Sequence, residues 1–170
     1  MEAVGRKRGI GLRPATERDA EFVYRVRVSG MKGHVTRLWG WDEEEQRARF
    51  AERRATSTFE IVTVDGVDIG VLSVDLQPAE LFLGYLGILP EHQRRGLGTA
   101  VLGMLLAEAA VIATPVALRV LKVNDGARRL YKRLGFESVG ETETHDVMRS
   151  TGATGSASGP IDQPSGPGEA

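Results

Sequence analysis

Apolar positions along this chain change period several times, and each change marks an element. From about Gly96 to Ala113 they recur at helical spacing, with Val101, Leu102, Leu105, Leu106, Ala109 and Ile112 on one broad stripe. A second, shorter helix follows Asn124, with Ala127, Leu130, Tyr131 and Leu134 on one face, and Gly135 stops it. Near the N-terminus, Thr16 and Asp19 form a capping-box pattern ahead of a helix reaching about Ser29, its buried face marked by Phe22, Val23 and Val26. Asp42 caps another helix to about Arg54, and the stretch between these two, with its two tryptophans, reads as a loop. Strand patterns occupy 9–15, 57–64, 68–76, 81–89, 115–121, 136–142 and 145–149. Asp65-Gly66 joins two of them as a tight hairpin. The order predicts an α/β (α+β) fold: a mixed, mostly antiparallel central sheet of six to seven strands with helices on both faces.

Composition narrows the chemistry. A chain of 170 residues suits one domain with a real core. A net charge of −1 gives no whole-surface attraction to nucleic acid or anionic lipid, so neither nucleic acid nor membrane is an expected partner. There is no cysteine, which removes disulfides, thiolate metal sites and cysteine nucleophiles together. No paired histidine stands at ligand spacing from the glutamates at 43–45, so no metal is expected. No apolar run has the length of a signal peptide or membrane span, and a cytoplasmic location is the default expectation. The expected domain covers 8–149. Residues 1–7 are expected to be flexible, and 150–170, rich in Gly, Ser and Pro, to be a disordered tail.

The segment PEHQRRGLGTAVLG, 90–103, places Gly96 and Gly98 between a strand and the long helix. A helix start has unpaired N–H groups and a partial positive charge, and glycine lets an anion come close to them. Arg94 and Arg95 add cationic side chains. The arrangement suits a pyrophosphate, although a Gly-x-Gly after a strand is also a common structural turn. It is neither the dinucleotide fingerprint nor a Walker loop.

In this setting Gln93-Arg94-Arg95-Gly96-Leu97-Gly98 resembles the Q/R-x-x-G-x-G/A signature of the GNAT N-acetyltransferases. Asn124, Ala127, Leu130, Tyr131 and Leu134-Gly135-Phe136 resemble that family's next motif. The resemblance spans roughly 8–149. It implies transfer of an acetyl group from acetyl-CoA, as co-substrate, to a primary amine of a small molecule, amino acid or peptide, by direct attack in a ternary complex. It also implies a V-shaped opening between the strands at 81–89 and 115–121. Backbone near Ile88 and Leu89 would then bond the pantetheine arm, and N–H groups from Arg94 through Gly96, Leu97, Gly98 and Thr99 would cradle the pyrophosphate. Arg94 and Arg95 would reach CoA phosphates, or stand in a solvated turn. Asn124 would touch the pantetheine as well as cap its helix. Tyr131 would protonate the departing thiolate as general acid; its helical position also suits a core aromatic. Pairing into a homodimer through sheet edges is compatible with the resemblance.

The acceptor side is less defined. The stretch at 31–46 resembles a Trp-Gly-Trp-Asp-Glu stretch of a bacterial subgroup. His34, Trp39, Trp41, Asp42 and Glu43 are its candidate acceptor residues: two aromatic walls beside a negative rim suit a cationic amine. The competing reading has the tryptophans plugging onto the core and the acids serving the helix dipole. A base is needed because an amine with pKa near 10 is only ~0.1% neutral at pH 7. Glu80, Tyr85, His34, Asp42, Glu43 and a water chain are the candidates. The functional alternatives are a catalytically weak CoA-binding sensor, or transfer of a longer acyl group.

Overall fold

The structure, a computed structural model, describes residues 9–151. Seven strands form one sheet in the order β1-β2-β3-β4-β5-β7-β6. They are β1 (Ile10–Pro14), β2 (Glu60–Val64), β3 (Val67–Leu76), β4 (Leu81–Ile88), β5 (Val116–Leu121), β6 (Phe136–Glu141) and β7 (His145–Ser150). All neighbours are antiparallel except β4 and β5. Helices α1 (Ala20–Trp39) and α2 (Glu43–Thr56) cover one face. Helices α3 (Leu97–Val111) and α4 (Asp125–Arg133) cover the other. The expected fold class is the one observed. The expected flexible residues 1–7 and most of the expected tail lie outside the described residues. β7 runs one residue past the expected domain end, and Ser150 accepts the Val116 N–H through its Oγ at 2.9 Å.

Local signals explain most boundaries. The Thr16 N–H donates to Asp19 Oδ2 at 2.8 Å, and a single 3₁₀ turn, Glu17–Asp19, leads into α1. Asp65 and Gly66, with φ of 49° and 81°, make the β2–β3 turn that matches strand twist. The Glu45 N–H donates to Asp42 Oδ1 at 2.8 Å, capping α2.

One boundary departs from expectation. α1 does not end near Ser29 but continues ten residues to Trp39, so the expected tryptophan loop is mostly helix. Two glycines inside the run, Gly30 and Gly33, weaken the helical signal, but burial outweighs propensity. Met31 and Val35 are buried in the same cluster as Leu89 and Leu121, at the ends of β4 and β5. The second half of α1 thus covers the sheet where those strands finish.

Two apolar cores flank the sheet. Adjacent residues Ile61 and Val62, both fully buried, feed opposite cores, as strand alternation demands. Leu102 is 0% exposed on α3, and truncating it to Ala would cost about 2–5 kcal/mol.

In β4 the alternation breaks. Leu83 packs with the α3 core and Tyr85, two residues on, with the α1 core. Their β3 partners, Val74 and Ser73, are adjacent, so Gly84 is the extra residue of a bulge. The parallel pairing of β4 with β5 has three rungs, Leu81↔Val116, Phe82↔Ala117 and Leu83↔Leu118. It ends where the bulge begins, and beyond it the two strands part.

Candidate active site

The gap between β4 and β5 opens into a cavity of about 690 Å³. Its walls come from three elements: the end of β4 through Leu86 and Ile88, the turn into α3 through 92–94 and 96–99, and the inward face of α4 through Leu130 and Tyr131. The glycine turn, the parted strands and Tyr131, far apart in sequence, therefore meet at one place.

The loop is shaped to turn amide groups outward. Arg94 and Gly96 both have left-handed φ, 61° and 72°. A residue with a side chain held there costs about 1 kcal/mol or more, and such strain concentrates at binding loops. Alternation of hand along a short segment gathers successive N–H groups into a concave nest for anions. The first helical bond of α3 runs from the Ala100 N–H to the Gly96 carbonyl at 3.0 Å. The N–H groups of Leu97, Gly98 and Thr99 precede it and have no carbonyl within the helix. No acidic side chain occupies this first turn.

The two glycines serve different ends. Gly96 is required by its φ. Gly98 has an ordinary helical φ, and a Cβ built on it would meet no atom within 4 Å. The fold does not require a bare Cα there. The space a side chain would fill belongs to the cavity, which Gly98 lines.

On the β4 side, backbone direction decides what is offered. The Leu89 N–H donates to the Ile69 carbonyl of β3 at 2.9 Å, and its carbonyl accepts from the His92 N–H at 2.9 Å. Leu89 is buried in the α1 core. Alternation along an antiparallel ladder then turns the peptide groups of Leu86 and Ile88 away from β3, into the gap. Of the expected pair, Ile88 stands at the cavity and Leu89 is spent inside the protein.

Tyr131 lines the cavity but is only 6% exposed, with its ring edge-on to Phe136 at 5.6 Å between centroids. Burial pushes its phenol up to about 12.

The other expected residues divide. Arg94 lines the cavity; Arg95 is exposed and does not. Asn124 Oδ1 accepts the Ala127 N–H at 3.2 Å and caps α4. Trp41, Asp42 and Glu43 are tied to their own surroundings. The Trp41 Nε1–H and the Tyr24 hydroxyl both donate to Glu43, at 2.9 and 2.7 Å, which holds its carboxyl below the usual range. Asp42 is the α2 cap. Trp39 is exposed, and His34 is half-buried on α1, one turn from both Met31 and Leu38. Among the base candidates, Glu80 pairs with Arg149 at 2.5 Å, near the closed end of the gap. The Tyr85 hydroxyl donates to the Val26 carbonyl at 3.2 Å and is pushed up to about 12 by burial.

Sequence reasoning missed Leu86, His92, Leu130 and Arg133 as cavity residues. Leu86 read as an apolar strand position and Leu130 as one of the residues carrying the family resemblance on its helix, and neither signal marked a cavity wall. His92 and Arg133 carried a charge signal that could be placed only once the loop and α4 were seen to face one another. Among the described residues no group of three or more His, Asp or Glu could hold a metal ion, and no helix is long and apolar enough to cross a membrane.

A family model described as acetyltransferase (GNAT) family matches residues 22–136. No curated protein matches the sequence. Among solved structures, the PaiA N-acetyltransferase of Thermoplasma acidophilum, determined in complex with coenzyme A, superposes with a TM-score of 0.67 at 16% identity, over 83% of this chain and 98% of that one. An acetyltransferase from Thermus thermophilus superposes with a TM-score of 0.65 at 20% identity, over 82% of this chain and 94% of that one.

Proposed function

This chain belongs to the acetyltransferase (GNAT) family, and we propose that it transfers an acetyl group from acetyl-CoA to a primary amine by direct attack within a ternary complex. The observation that carries the reading is the end of β4–β5 pairing at Leu83↔Leu118, with the bare first turn of α3 and Tyr131 on the cavity beyond it.

The residues fit the co-substrate piece by piece. The N–H groups of Leu97, Gly98 and Thr99, with Arg94 beside them, suit a diphosphate. Leu86 and Ile88 present peptide edges to an amide-bearing arm, as a neighbouring strand would, with apolar side chains alongside. An N–H of that same edge suits the charge that develops on the thioester oxygen during attack.

Tyr131 serves the sulfur. With its pKa near 12 the phenol keeps its proton at every pH at which the reaction would be run. Tyr131 therefore stands protonated beside the sulfur and acts as its general acid, passing its proton to the sulfur as the carbon–sulfur bond breaks and regaining one from solvent. The proton lost by the amine leaves through water or through His34, because Glu80, Tyr85, Asp42 and Glu43 are engaged elsewhere. The acceptor approaches from the α1 face, where the second half of that helix, with His34 and Trp39, borders the ends of β4 and β5.

Calorimetry with CoA and a thiol-release assay over a panel of amines, amino acids and peptides test this reading. Micromolar CoA binding with turnover on at least one amine is expected. Binding with no turnover on any amine would replace the enzyme by a CoA-responsive module, and no binding would remove the reading altogether.

A further inference from the structure

The turn between β4 and α3 holds a contact that links the two halves of the cavity. Gln93 Nε2 donates to the Ile88 carbonyl at 2.7 Å. Ile88 is the last residue of β4, and its peptide edge faces the gap. Gln93 directly precedes Arg94, the residue whose left-handed φ begins the amide nest. The remaining bonds in this turn, from the His92 N–H to the Leu89 carbonyl and from the Gln93 N–H to the Pro90 carbonyl, close the 3₁₀ turn locally. Among the described residues, the Gln93 side chain is the hydrogen bond that ties the loop back to the gap-facing edge of the strand.

Two consequences follow from that bond. The Ile88 carbonyl already has one donor, so Ile88 offers an incoming arm its N–H and the carbonyl's remaining lone pair. The bond also sets the spacing between that N–H and the nest. A ligand with an anion at one end and an amide-bearing arm at the other gains most when both sites stand at the span of the ligand before it binds, because the second contact is then intramolecular.

We infer that Gln93 is a positioning residue: its amide, bonded to the Ile88 carbonyl, holds the diphosphate nest and the arm-binding edge of β4 at a fixed spacing, so that CoA engages both at once. This rests on the acetyl-CoA reading above. It assigns Gln93 no contact with the reacting atoms and no direct role in holding either half of the ligand.

The test compares wild type with Gln93→Met, which keeps side-chain length but has no donor, and Gln93→Asn, which keeps the amide but falls one methylene short. Calorimetric titrations use CoA, 3′-phospho-ADP, which lacks the arm, and pantetheine, which lacks the nucleotide. Both variants are expected to bind CoA about tenfold more weakly, about 1.4 kcal/mol and the worth of one hydrogen bond. Each fragment should bind within twofold of wild type. The KM for acetyl-CoA should rise by a similar factor while kcat stays within about twofold. Because Gln93 is exposed, the melting temperature should hold and serve as the folding control. Unchanged CoA affinity in both variants would overturn the inference. An equal loss for 3′-phospho-ADP would also overturn it, since Gln93 would then be shaping the nest alone. If wild type itself binds no CoA, the parent reading falls and this one with it.

Discussion

Leu83 and Leu118 form the last rung between β4 and β5, and the next residue, Gly84, is the bulge that turns β4 aside. Ending a parallel pairing inside a sheet exposes peptide groups that would otherwise be satisfied, a cost that a ligand laid along the edge would remove. Apolar cores pack on both faces of the paired part of the sheet, and beyond the last rung the gap opens into the cavity lined by α3 and α4.

The Gly98 Cα is bare without any neighbour requiring it. Gly98→Ala is expected to leave the fold intact, or to stabilise it by up to about 1 kcal/mol through helix propensity. It should also weaken CoA binding by about tenfold or more, since the methyl fills space at the helix start. Thermal melting and calorimetry on the same sample separate the two effects. A melting point well below wild type would show that Gly98 serves the fold instead.

Tyr131→Phe removes the hydroxyl and keeps the ring against Phe136. We expect kcat to fall about a hundredfold, the usual scale for one proton-donating group, with KM for acetyl-CoA within about threefold. Because burial raises the phenol to about 12, the wild-type rate should climb as the acceptor amine loses its proton and show no fall assignable to Tyr131 below about pH 11. A basic limb near pH 9 that disappears in the phenylalanine variant would contradict this.

Arg13 bonds the Asp19 carboxylate at 2.9 Å through both terminal nitrogens, and the Thr16 N–H adds a third bond. These hold the Asp19 carboxyl well below the usual range, the Arg13 bond first among them. A depressed pKa means that the charged form favours the folded state, so the stabilisation is full above about pH 4, the unfolded value. It is lost as pH falls from there toward the folded value. Asp19→Asn should lower stability by up to about 1 kcal/mol at pH 7, the usual worth of a solvent-accessible ion pair. Urea melts across pH should show the gap between wild type and variant narrowing below about pH 4. A gap that widens there would reverse the assignment.

Glu43 receives the hydroxyl of Tyr24 and the indole N–H of Trp41, and Arg47 approaches it at 3.3 Å. Glu43→Ala should therefore act on the α1–α2 corner, lowering the melting temperature by a few degrees, with acceptor KM within about twofold of wild type. A selective rise in acceptor KM without a thermal shift would return Glu43 to the substrate side.

Most of the elements were legible in the chain because their signals are local. Asp42 and Asn124 cap the helices expected of them, Asp65-Gly66 turns the expected hairpin, and the stripe from Val101 to Ala109 is buried on α3. The turn from β4 into α3 was legible for the same reason, since a strand, two near-adjacent glycines and a helix start are consecutive in sequence. What the tertiary structure alone decided is non-local. Gly30 and Gly33 argue against a helix until Met31 and Val35 are seen buried with Leu89 and Leu121. Whether Ile88 or Leu89 faces the gap depends on which of them bonds β3, and a strand carries no mark of its own register. The bulge at Gly84 exists only as a mismatch between two strands. Caps, turns and periodicity are properties of a few neighbouring residues, whereas the direction of a peptide group and the parting of two strands belong to pairs of segments and are set when those segments meet.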